Sequence, residues 1–148
     1  MGNARTVMDR MTAAAVEQHD LDTVRQCYAQ DAVVTAPDAG EVAGRDHIAE
    51  YWRTFIDSFP DSRYEPLNKL EVGDRAIDEG YFIGTNTNPL RLPDGQTMPA
   101  TGKQVRIRSC DVATVKDDKI TEHHLYFDQL EFMSQLGLAP ASPLSGQS

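Results

Sequence analysis

The chain is poor in the features that would place it in several large classes of protein. Its 148 residues include only two cysteines, Cys27 and Cys110, with no C-x-x-C pair. A disulfide scaffold and a four-cysteine zinc site are therefore excluded, and a reducing, cytoplasmic setting is expected. No segment is long and apolar enough to span a bilayer, and the opening MGNARTVMDRMTAAAV lacks the apolar core of a secretory signal. Positive charge is also scarce, at 14 Lys and Arg against 23 Asp and Glu, for a formal net charge of -9. Nucleic acid and anionic membranes recruit Lys and Arg, so neither is expected as a partner. The chain has no H-E-x-x-H, no His-x-His and no glycine-rich phosphate cradle, so neither a metal nor a cofactor is expected.

What is present reads as helices followed by strands. Asn3 is placed to cap a helix running to about Gln18, and Asp20 to cap a shorter one in which Leu21, Val24 and Tyr28 recur at helical spacing. AVVTAP is a short strand ended by Pro37. In GRDHIAEYWRTFIDSFPD, residues Ile48, Trp52, Phe55 and Phe59 line one helical face until Pro60 stops it. From Tyr64 the period changes to two: YEPLNKLEV, AIDEGYFIGTN, KQVRIRSCDVATV and ITEHHLYFD are strands with turns between them. QLEFMSQLGL closes the domain as a helix. This order predicts one α+β domain over residues 1–138, with helices on one face of a mostly antiparallel sheet, and a flexible tail over 139–148. The long connection NPLRLPDGQTMPATG is a candidate pocket rim.

The strand ITEHHLYFD concentrates titratable chemistry. Alternation puts Glu122, His124, Tyr126 and Asp128 on one face and Thr121, His123, Leu125 and Phe127 on the other. In KQVRIRSCDVATV, Asp111 shares a face with Ile107 and Ser109, opposite Arg106, Arg108 and Cys110. Asp111 is either a pocket carboxylate or a partner for arginine or turn amides.

Several phrases in order, HDLDTVRQCYAQDAVV, FPDSRYE, GTNTNPL, TGKQVRIRSCDVATVKDDKITEH and YFDQLEFMSQLGL, resemble the SnoaL-like polyketide cyclases of the nuclear transport factor two superfamily. The resemblance covers roughly residues 10 to 138. It implies a cone-shaped, cystatin-like α+β barrel, a strongly curved sheet wrapped around a pocket and closed by the N-terminal helices. The concave face then lines a cavity, which turns the Glu122, His124, Tyr126 and Asp128 set inward. The Tyr-x-Asp phrase of the family falls on Tyr126 and Asp128. Asp128 is accordingly the candidate general base for an intramolecular aldol closure, and its alternative role is to cap the last helix.

In this reading His124 assists the base and Tyr126 donates to the enolate oxygen, while Glu122 lies at the rim. Trp52, Phe55 and Phe82 form apolar walls around a small hydrophobic substrate. Asn86 stands where the family usually has a histidine and could donate to a carbonyl. The Asp-Arg-Asp relay of limonene epoxide hydrolases has no counterpart, because Arg108 and Asp111 lie on opposite faces. A homodimer is the expected assembly. The competing expectation is a non-catalytic ligand-binding or dimerisation module of the same fold.

Overall fold

The computed structural model describes residues 3–92 and 95–138. The tail expected over 139–148 lies outside the described residues. Helix α1 (Ala4–Thr12) buries Ala4, Val7, Met8 and Met11 on one stripe, then widens into π-helical turns over Ala13–Gln18. His19 ends the segment in left-handed backbone at φ 55. Asn3 makes no capping bond, and its side-chain amide reaches Asp118 in the β7–β8 turn. Asp20 does cap α2 (Leu21–Cys27) by accepting from the Thr23 amide.

The helical spacing of Leu21, Val24 and Tyr28 overshoots, because Tyr28 is extended and opens β1 (Tyr28–Ala36). Its ring is fully buried and its hydroxyl is bonded to His123 from the far end of the chain. Tertiary packing here overrides helical periodicity. After β1, Gly40 takes φ 68 in the turn to a short strand that the sequence did not reveal, β2 (Gly40–Ala43). Helix α3 (Arg45–Ser58) buries Ile48, Tyr51 and Trp52 and stops before Pro60, as the spacing predicts.

The strands that follow are β3 (Arg63–Val72), β4 (Arg75–Thr85), the two-residue pair β5 (Leu90–Arg91) and β6 (Thr97–Met98), β7 (Gln104–Lys116) and β8 (Lys119–Phe127). Helix α4 (Gln129–Gln135) ends the described chain. The main sheet has the order β2-β1-β8-β7-β4-β3, antiparallel throughout except for the β1–β8 pair. It is a large curved sheet that does not close into a barrel, and β2 and β3 remain as its edges. The cone is therefore present and the closed barrel is not. Helix α1 packs on the inner face against β3, β4, β7 and β8, and α3 packs against β1 and β2.

One irregularity decides which side chains face inward. Between β7 and β8 the register steps from Thr114↔Glu122 to Val115↔Ile120, so Thr121 is an extra residue with no opposite number. A single-residue bulge moves every later side chain to the other face. Ile120 is buried, and beyond the bulge His123 and Leu125 are buried while Glu122 and Tyr126 are exposed. The inward-facing set on β8 is thus His123, Leu125 and Phe127, the reverse of the face that the resemblance implied.

Candidate active site

Between the inner face of the sheet and the helices lies a cavity of about 60 Å³. Its walls are mainly aromatic: Trp52 and Phe55 from α3, Tyr64 from β3, Phe82 from β4, Phe127 from β8 and Phe132 from α4. The rings meet edge-on or tilted, with Phe55 and Phe82 centroids 6.1 Å apart and Phe55 and Phe132 6.2 Å apart, an arrangement that packs their quadrupoles favourably. In this apolar surround the one carboxylate is that of Asp111. The strict alternation of β7 puts it there: Val105, Ile107, Ser109, Asp111, Ala113 and Val115 all turn inward.

Behind Asp111 runs a chain of buried hydrogen bonds. Trp52 Nε1 lies 3.2 Å from the Tyr28 hydroxyl, that hydroxyl lies 2.8 Å from His123 Nδ1, and His123 Nε2 lies 3.3 Å from Asp111 Oδ1. The indole can only donate and an ionised carboxylate can only accept, which for a neutral imidazole sets every direction. Trp52 donates to the Tyr28 oxygen, Tyr28 donates to Nδ1, and the remaining ring proton sits on Nε2 and is given to Asp111. The Tyr28 and Trp52 rings also lie close to parallel with the imidazole, at interplanar angles of 13° and 29°. Burial drives the Tyr28 hydroxyl well above the ordinary phenol value, outweighing the opposing bond from Trp52, and the Asp111 charge adds a smaller rise. Tyr28 therefore stays a neutral donor.

A different phenol, Tyr64, belongs to the cavity wall itself. The Tyr64 hydroxyl is buried and bonds to no described protein group. Burial raises its pKa, and the charges of Asp111 and Asp78 raise it further, so it too remains protonated. Gly80 makes room for it: a Cβ there would stand 2.4 Å from the Tyr64 hydroxyl and 2.6 Å from the Glu65 carbonyl. Asp78 sits directly across β4 and β7 from Asp111. Burial raises its carboxyl, but Arg5 of α1 lies 2.6 Å away and pulls in the opposite direction. This ion pair ties α1 to the sheet floor.

A family model described as the SnoaL-like domain matches residues 8–123. The chain belongs to the SnoaL-like family. No curated protein sequence matches it. Among solved structures, this SnoaL-like chain is similar to a proposed SnoaL-like polyketide cyclase from Jannaschia, at 18% identity over 92% of both chains with a TM-score of 0.78. It is also similar to IdmH, a proposed polyketide cyclase from Streptomyces antibioticus, at 24% identity over 91% of this chain and 99% of that one, with a TM-score of 0.74. AclR, a proposed hydroxylase from Streptomyces galilaeus, matches at 20% identity over 93% and 97% with a TM-score of 0.76.

Within this SnoaL-like fold the residues singled out by sequence divide into two groups. Trp52, Phe55, Phe82 and Asp111 come together around the cavity. Glu122, His124, Tyr126 and Asp128 do not. The exposed Asp128 accepts from the Glu131 amide at 3.0 Å and caps α4, so its cap role is the one observed. His124 lies on the outer face between Glu122, at 3.4 Å, and the Tyr126 hydroxyl, at 3.4 Å, and Tyr126 is more than half exposed. These residues share a face as alternation requires, but with His123 and Leu125 buried on the opposite face theirs is the outer one.

Asn86 is fully buried but away from the cavity. Its amide nitrogen donates to the carbonyls of Asn88 and Ser58, and its oxygen accepts from the amide and hydroxyl of Thr101, so it pins both ends of the long connection. That connection contributes Pro89, Arg91 and Leu92 to a groove on the outer side of α3 and none of its described residues to the cavity lining. His123, Tyr28 and Tyr64 are the residues that sequence reasoning missed. The available signal was that His123 shares its face with Leu125 and Phe127, the apolar face of its strand.

Proposed function

We propose that this SnoaL-like protein is a cofactor-independent enzyme acting on a hydrophobic, carbonyl-bearing ring compound. It would remove a proton alpha to the carbonyl and lead either to aldol cyclisation, as in a polyketide cyclase, or to isomerisation. The observation that carries this reading is the buried chain Trp52–Tyr28–His123 ending on Asp111, the one carboxylate in an aromatic cavity. Asp111 takes the role first assigned to Asp128. Its carboxylate accepts the carbon-bound proton, the C–H electron pair becomes the enolate double bond, and negative charge develops on the carbonyl oxygen. The unpartnered Tyr64 hydroxyl donates to that oxygen. In aldol closure the enolate carbon attacks a second carbonyl of the same molecule, and the resulting alkoxide recovers the proton from Asp111. His123 holds Asp111 in place from behind, and the aromatic walls exclude water.

The test is solvent exchange. In deuterium oxide the wild-type protein should catalyse exchange of the α-protons of 2-tetralone, followed by NMR, and Asp111→Asn should bring the rate to the uncatalysed background while the fold persists by circular dichroism. Exchange surviving in Asp111→Asn would remove Asp111 as the base.

The working form is a homodimer in the cytoplasm. On the outer face, Leu70, Ile77, Val112 and His124 stand opposite one another across β3, β4, β7 and β8 as a continuous row, with Tyr126 exposed beside it. Covering such a stripe with a second copy removes apolar surface from water. Sedimentation equilibrium should give twice the chain mass for the wild type and the chain mass for Val112→Lys. A monomeric wild type would refute the dimer.

A further inference from the structure

The aromatic cavity is far below the roughly 300–1,000 Å³ of ordinary small-molecule sites. At about 60 Å³ it cannot hold a ring compound of the proposed class without opening. A second hollow of about 580 Å³ lies on the other side of α3. It is bounded by Tyr51, Thr54, Asp57 and Ser58 of α3, by Asp38 and Val42 around the β1–β2 turn, and by Pro89, Arg91 and Leu92 of the long connection. Phe55 is the residue common to both linings. Its half-buried ring touches Tyr51 on the groove side at a centroid distance of 5.3 Å and Phe82 and Phe132 on the cavity side at 6.1 and 6.2 Å. One side chain therefore stands between a reactive chamber that is too small and a groove large enough for most of a ligand.

We infer that Phe55 is the gate between two halves of one binding site, and that the ligand is bipartite: a flat carbonyl-bearing ring enters the chamber past Phe55 while an uncharged, hydrogen-bonding arm lies in the outer groove. The ring half rests on the function proposed above. The arm follows from the groove lining. Asp38, Glu50 and Asp57 stand with Arg53 and Arg91 there, and Arg53 is paired with Glu50 at 3.4 Å, so the lining mixes both signs and concentrates neither at one point. The Tyr51 hydroxyl bonded to Asp38 at 2.8 Å supplies a partly sheltered polar floor for hydroxyl or amide groups. Opening needs no backbone change, because rotation of one side chain on α3 joins the two spaces, and exposed or half-buried rings make such moves on fast timescales.

The experiment uses prodan, a neutral naphthalene ketone, as the probe. Trp52 is the only tryptophan of the chain and lines the chamber, and His47 lines the groove, so the Trp52 indole N–H and the His47 ring report separately by NMR. Titration of the wild type should move both signals with one midpoint. Phe55→Leu and Phe55→Ala should tighten that midpoint about fivefold or more, the leucine variant serving if the alanine variant is too unstable to melt cooperatively. A response at His47 alone in wild type and variants, or two different midpoints, would overturn the gate. The readout is binding, so it is independent of turnover. Deuterium exchange that depends on Asp111 with no prodan response at Trp52 would overturn the gate and leave the enzyme reading intact. A joint response without exchange would uphold the gate and remove the enzyme reading.

Discussion

Replacing Tyr28 by phenylalanine tests the buried chain at its middle. The phenyl ring should stay, since the Tyr28 side chain is fully buried among Trp52, His123 and the core, so the variant loses one oxygen and little packing. That oxygen serves two partners, accepting from Trp52 Nε1 at 3.2 Å and donating to His123 Nδ1 at 2.8 Å. Both partners are buried, His123 completely, so each is left with an unmet hydrogen bond that water cannot reach. An orphaned buried group costs about 1–3 kcal/mol, so the pair sets an expected loss of about 2–6 kcal/mol. At about 2–4 °C per kcal/mol for a chain of this length, Tm should fall by about 4–24 °C.

The same variant checks the direction of the chain as well as its strength. In the wild type, ¹⁵N NMR of the imidazoles should find His123 with its proton on Nε2, facing Asp111, and a bare Nδ1 accepting from Tyr28. In Tyr28→Phe that bare nitrogen loses its donor, the tautomer is no longer held, and α-proton exchange should slow while remaining above the Asp111→Asn background. A loss below about 0.5 kcal/mol, the bottom of the range for a single net hydrogen bond, would show that the chain is not a stabilising unit. A wild-type His123 carrying its proton on Nδ1 would be more damaging, because it would reverse the chain and leave Asp111 without its donor.

Two further outcomes are expected. Burial raises the Asp38 carboxyl, with the Tyr51 hydroxyl opposing it. A carboxyl raised in the folded state holds more protons there than in the unfolded chain, so this group makes stability fall as pH rises from the ordinary carboxylate range through the raised value. Asp38→Asn keeps an acceptor for Tyr51 and should flatten that dependence, giving a higher Tm than wild type at pH 7 and little difference at pH 3. A lower Tm at pH 7 would show that the charge itself stabilises the fold. Asn86→Ala leaves the Thr101 amide and the Asn88 carbonyl without their partner, and it should lower urea stability by about 2–4 kcal/mol. Hydrogen exchange at the Thr101 amide should accelerate, and unchanged protection there would refute the pinning role.

The helix and strand segments were legible because their signals are local. Pro60 stops α3, Asp20 caps α2, and the alternation of β7 puts Asp111 beside Ile107 and Ser109 on the inner face. The Asp128 cap was legible for the same reason, since an aspartate immediately before QLEFMSQ is a local helix-start signal. Besides the short strand β2 and the Asn3 side chain that turns to Asp118, three things were not legible. Tyr28 leaves its helical period for a partner 95 residues away, and Asn86 is held by Thr101 across the long connection. The third is the Thr121 bulge, which exists only as a mismatch between two strands and leaves no mark in the alternation of either one.

The inward face that the resemblance implied for β8 could have been corrected from the sequence alone. A chamber for a hydrophobic ring must be walled mainly by apolar side chains, with few polar groups set among them. Turning Glu122, His124, Tyr126 and Asp128 inward would have lined the chamber with four polar groups and exposed Leu125 and Phe127 to water, a poor exchange at about 1.5–3 kcal/mol for each large apolar side chain left unburied. The better candidates are the isolated polar residues on otherwise apolar faces. On β7 the ionisable residue of that kind is Asp111, beyond Ser109, and on β8 it is His123, before Leu125 and Phe127. These two are the residues that meet at 3.3 Å. Even where a fold family implies an inward-facing strand, the apolar face of that strand is the one that faces the pocket, and its polar exceptions are where chemistry should be sought.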